Sequence, residues 1–71
     1  MIKVFKTDVN DRHFANILVQ QIQQAYKSCT ANFDLDDCDK ILRIKCAGNI
    51  HADKLIHLLK QFGVRAEVLP G

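Results

Sequence analysis

Three cysteines, three histidines and a run of aspartates are the residues of this 71-residue chain that could do chemistry, and their spacing decides which chemistry. Cys29, Cys38 and Cys46 are odd in number and contain no C-x-x-C pair, which speaks against a disulfide framework and against a standard zinc finger. Reduced thiols are the expectation. His13 and Cys38 are suitable ligands for Zn(II) or Cu(I), and Asp11 offers a carboxylate as a third. The acidic stretch DLDDCDK lacks the D-x-D-x-D-G order and the later glutamate of a calcium loop. Its aspartates read equally as turn formers, whose side chains bond nearby backbone. His51 falls where a second helix begins and His57 sits between Lys54 and Lys60; neither has a ligand partner nearby in sequence. There is no G-x-S-x-G elbow, no glycine-rich phosphate loop and no carboxylate pair that demands catalysis, so an enzyme is not expected.

Six elements would have to position these residues. Ile2 to Val9 is rich in β-formers and reads as a strand. In VNDRHF, Asn10 or Asp11 can cap a helix, because a short side-chain oxygen accepts a bond from a free first-turn N–H. Phe14, Leu18, Ile22 and Ala25 then recur at helical spacing, flanked by Ile17 and Tyr26, with glutamines opposite. Ser28 to Asp36 alternates, with Cys29, Ala31, Phe33 and Leu35 on one side. After the DDCDK turn, Ile41 to Ala47 resumes a strand with Leu42, Ile44 and Cys46 on one face, which makes a hairpin. Leu55, Ile56, Leu59 and Phe62 mark a second helix; Asp53 suits its first turn and Gly63 its stop. Val64 to Leu69 is a last strand.

The order βαββαβ, with right-handed crossovers, predicts an α+β ferredoxin-like sandwich: a four-stranded antiparallel sheet of order 4-1-3-2 with both helices on one face. One domain over residues 1–71 is expected, since a chain this short forms a single modest core. With 48% hydrophobic and 25% charged residues the composition is globular. A net charge of +2 is too small to point to nucleic acid, and no apolar run is long enough for a membrane span or a secretory signal. The expected location is cytoplasmic. This topology gathers the first loop, the DDCDK hairpin and the Phe62–Gly63 turn at one end, and with them Asp8, Asp11, His13 and the run from Asp36 to Asp39. Cys29 and Cys46 lie on core-facing registers near the other end and read as small buried hydrophobes.

The second half, CAGNIHADKLIHLLKQFGVRAEVLP, resembles the closing half of heavy-metal-associated domains, the copper-chaperone and metal-ATPase modules. In these a strand passes through a glycine into a helix of KLI-type register, which stops at glycine before a short final strand. The resemblance implies a site for a soft ion at an M-x-C-x-x-C motif where the first strand enters the first helix. Val9 stands at the methionine of that motif, Asp11 at its first cysteine and Phe14 at its second, so both thiolates are missing. The family register also implies that Phe5, Thr7 and Val9 face the helices. Ile2, Val4 and Lys6 then face outward beside Ile41, Arg43 and Lys45. This open face lacks the stacking aromatics of an RNA-recognition module, and no signature of ACT-type regulatory domains is present.

Two functional expectations follow. One is an interaction module that binds a protein partner or a second copy through its sheet face (Ile2, Val4, Ile41, Arg43) or an edge strand, with no cofactor, nucleic acid or membrane. The other is a metallochaperone-like protein holding Cu(I) or Zn(II) at His13, Cys38 and Asp11.

Overall fold

A computed structural model describes residues 1–70. Its elements are β1 (Ile2–Thr7), α1 (Arg12–Ala25), β2 (Cys29–Asp34), β3 (Ile41–Cys46), α2 (Ala52–Gln61) and β4 (Ala66–Val68). The sheet order is β2-β3-β1-β4, all neighbours antiparallel, which is the expected 4-1-3-2. Strand residues of one parity, among them Phe5, Phe33, Leu42 and Ile44, join Leu18 and Ile22 of α1 and Leu55 and Leu59 of α2 in one core. Both helices therefore cover the same face. The other face carries Lys6, Thr30, Asn32, Arg43, Lys45 and Glu67, all exposed. This is the ferredoxin-like α+β fold.

Local chemistry fixes where each helix begins and ends. Asp11 is the N-cap of α1, its Oδ2 accepting the Phe14 N–H at 3.1 Å. Asp53 in the first turn of α2 and Lys60 in its last complement the helix dipole. The α2 stop is a Schellman arrangement: the Gly63 N–H donates to the Lys60 carbonyl (2.9 Å) and the Val64 N–H to the Leu59 carbonyl (3.0 Å). This turn requires Gly63 at φ +78°, where a side chain would be strained. Val64 and Leu59, both buried, supply the apolar contact that accompanies the motif.

Several details differ from the sequence expectation. The buried face of α1 is Ala15, Leu18 and Ile22; Phe14 is half-buried, and Ala25 and Ile17 are exposed. At 100° per residue the helix is turned by roughly 40° from the expected face. Alanine at 15 permits this, because it lets the helix approach the sheet closely. Phe62 is the C-cap of α2 and remains 38% exposed, since its backbone is leaving the helix. β1 ends at Thr7, and Val9 is buried in the loop beyond it.

The thiol expectation also changes. Cys29 and Cys46 are register partners on β2 and β3 with Cα atoms 4.1 Å apart, and their sulfurs form a disulfide. Neither N–H joins the β2–β3 ladder: Cys29 donates to Tyr26 and Cys46 to Met1. They are thus a non-hydrogen-bonded pair, the kind in which opposed side chains come closest. Cys38 is the free, exposed thiol.

Candidate functional site: the acidic end and the open sheet

The loops that could build a site meet at one end of the sheet, as expected, and a buried threonine joins two of them. Thr7 donates its hydroxyl to the Lys40 carbonyl (2.6 Å) and accepts the Val9 N–H (3.3 Å), while its own N–H donates to the Asp39 carbonyl (3.1 Å). Lys40 holds a left-handed φ of +48°, and its ammonium donates to the Leu35 carbonyl at 3.0 Å. The third loop is tied in by Asp8, whose carboxylate accepts the Arg65 N–H at 3.1 Å.

Within this end the candidate ligands are spread out. Asp11 is engaged as the helix cap, His13 is exposed on the first turn of α1, and Cys38 is exposed at the hairpin tip. Among the described residues the only group of three possible ligands whose donor atoms lie within 4.8 Å of one another is Asp37, Cys38 and Asp39. Asp11 and His13 do not belong to it. Part of that group has structural work: Asp37 Oδ1 accepts the Asp39 N–H at 2.8 Å, and Asp39 forms an exposed ion pair with Lys6 at 3.7 Å. The residues that the resemblance sets at a soft-ion site lack the donors for one: Val9 is buried and apolar, and Asp11 and Phe14 are hydrogen-bonded to each other through the cap. His51 takes the N-cap position of α2 without a side-chain bond, and His57 is exposed on that helix.

The open face departs from its expected outline. Ile2 is 60% exposed and Val4 half-buried, and Arg43 is exposed two residues along β3 from Ile41. Ile41 has the outward register, opposite Lys6 and Asp34, yet only 6% of it is accessible. It lies outside the main core cluster, on the helix-free face of the sheet. The apolar surface therefore runs toward β4, where Ile2 and Val4 line a groove with Leu69 and Pro70 that wraps the end of the sheet to Lys3 and Val68 of the opposite parity.

The two sheet edges differ in how their outward backbone groups are engaged. In an antiparallel edge strand every second residue turns its N–H and C=O away from the sheet. On β2 two of these groups are occupied by α1 side chains: the Ala31 N–H donates to Gln23 Oε1 (3.0 Å), and Arg12 Nη1 donates to the Phe33 carbonyl (3.5 Å). The glutamine stripe alone does not single out Gln23, which the structure leaves half-buried while Gln20, Gln21 and Gln24 are exposed. On β4 the Arg65 and Leu69 N–H groups point toward β1, to Asp8 and to the Val4 carbonyl. By the same alternation Ala66 and Val68 present their backbone outward, and no side chain among the described residues bonds it. No helix among the described residues is long and apolar enough to cross a membrane. Comparison with protein-family models, with curated proteins and with solved structures finds no match to this chain.

Proposed function

We propose that this chain is a heavy-metal-associated-like domain that keeps the scaffold without ion transfer and serves as a non-catalytic protein-interaction module. The observation that carries the reading is the uncovered sheet face, where Ile2 and Val4 stand in a groove flanked by the exposed cations Lys6, Arg43 and Lys45. Apolar surface ringed by charge is the composition of a binding patch, and its cations fit a partner with an apolar centre and an acidic rim. The test is parallel affinity capture with the wild type, with I2S/V4S on the open face and with K54E on the helical face. Partners retained by K54E and lost by I2S/V4S support the reading; equal capture by both variants sinks it. The proposed location is the cytoplasm, where reducing thiols would hold Cys29 and Cys46 as two buried thiols; an oxidising compartment would hold the bond closed.

A second reading, a Cu(I) or Zn(II) protein, has one observation in its favour, the approach of Asp37, Cys38 and Asp39 at the hairpin tip. Native mass spectrometry of the reduced protein with each ion decides it. One ion bound and lost in C38S supports the metal reading, and no ion beyond the C38S background removes it.

A further inference from the structure

The geometry points to the β4 edge as a self-pairing surface, through which two copies of this chain join their sheets antiparallel about a two-fold axis at Ala66. The inference rests on the reading of the chain as an interaction module and adds the partner, a second copy, and the edge it uses.

The first argument is backbone availability. Ala66 and Val68 turn their N–H groups outward, while those of Arg65 and Leu69 are committed toward β1. With Ala66 on the axis, each Ala66 N–H reaches the Ala66 carbonyl of the second copy, and each Val68 N–H reaches the second copy's Val64 carbonyl. The Val64 N–H is already engaged with Leu59, so each Val64–Val68 pair contributes one bond, from the Val68 N–H, and the ladder has four bonds in all.

The second argument is charge. The same register sets Arg65 opposite Glu67 of the second copy, and the symmetry makes this pair twice. Both side chains are exposed, and among the described residues neither has an ion-pair partner, the only such pair being Lys6–Asp39. Directly opposed residues on an antiparallel pair are close enough for opposite charges to attract and for like charges to repel. A register shifted by one residue at either copy would lose this match.

The third argument is shape on the helical side. Val68 is a register partner of Phe5, so its side chain lies on the face that α1 and α2 cover, yet 37% of it remains exposed at the edge. In the paired arrangement Val68 lies opposite Val64 of the second copy, beside a groove lined by Ile56, Lys60, Val64, Arg65 and Ala66. The exposed apolar side chain of one copy thus meets the apolar groove of the other, and alanine at the axis leaves room for the approach.

The contact is short, because β4 has three residues. A dissociation constant on the order of 100 μM is expected for so small an interface. Sedimentation velocity from roughly tenfold below to tenfold above that value should show a monomer–dimer equilibrium. R65E and E67R should each weaken it roughly tenfold or more, and R65E/E67R together should restore it by reversing the polarity of both pairs. A66P should abolish it, since the proline removes only an outward N–H and edge positions of this kind tolerate proline. In hydrogen exchange the Ala66 and Val68 amides should gain protection with concentration. A chain that stays monomeric across the range overturns the inference, as does a dimer that the double charge swap fails to restore or that leaves the Ala66 amide unprotected. I2S/V4S should dimerise like the wild type, so failure at the edge and failure of open-face binding are read separately.

Discussion

Breaking the Cys29–Cys46 bond by reduction is the perturbation whose size follows most directly from the structure. Reduction keeps both sulfurs, and hence their packing at 6% and 4% exposure, and removes only the covalent link. What changes is the unfolded chain. The bond closes a loop with a sequence separation of 17. On the chain-entropy account, freeing a loop of that length costs about 3 kcal/mol of stability at 25 °C. For a domain of this size 1 kcal/mol moves the melting temperature by about 4–8 °C, so the reduced protein should melt roughly 12–24 °C lower. The pair is buried, so reduction should be carried out in denaturant, followed by refolding with the reductant present. Calorimetry of both forms gives the shift, and thiol titration in denaturant should count Cys38 alone before reduction. C38S is the control and should leave the melting temperature unchanged, because that thiol is exposed and unbonded. A shift below about 4 °C would refute the loop argument, showing that the reduced unfolded chain already holds the hairpin. Three titratable thiols in protein refolded under oxidising conditions would refute the bond itself.

Replacing Thr7 by valine keeps the shape of a buried side chain and removes a donor and an acceptor, leaving the Lys40 carbonyl and the Val9 N–H without it. T7V should lose about 1–3 kcal/mol in urea unfolding with an unchanged slope. D11A removes the α1 cap and should cost about 1 kcal/mol by the same measurement. G63A should cost about 1 kcal/mol because of its positive φ, whereas G48A, with nothing within 4 Å of the added carbon, should stay within about 0.5 kcal/mol. Q23A should speed hydrogen exchange at the Ala31 amide while leaving the Ala66 amide unaffected, since only the first is held by that side chain.

The order of elements and strands was legible because periodicity, caps and turn residues agree along the whole chain. Two expected features moved for reasons no periodicity carries. The α1 face turned toward Ala15 because close packing selects a small residue there, and Ile41 is buried on the outward register although that face has no covering helix. The disulfide was within reach of counting. Asp34 and Ile41 close the hairpin as partners, and five residues outward on each strand stand Cys29 and Cys46, directly opposed. An odd cysteine total does not exclude one pair and one free thiol. At the acidic end the sequence indicates which loops meet but not which way their side chains are committed. Asp11 shows the limit: its type suits a ligand or a cap equally, and only the bond to the Phe14 amide decides.

The hydrogen bonds from Gln23 and Arg12 to β2 bear on how far assembly can go. A sheet open at both sides can add neighbours without end, the first step of a filament. In this sheet the helix takes two outward groups of β2, the Ala31 N–H and the Phe33 carbonyl, which disfavours strand addition there relative to β4, and a contact that uses the same edge on both copies satisfies itself at two. If the chain pairs through β4 as proposed, Gln23 and Arg12 act against polymerisation, because losing them would free β2 as a second edge for pairing.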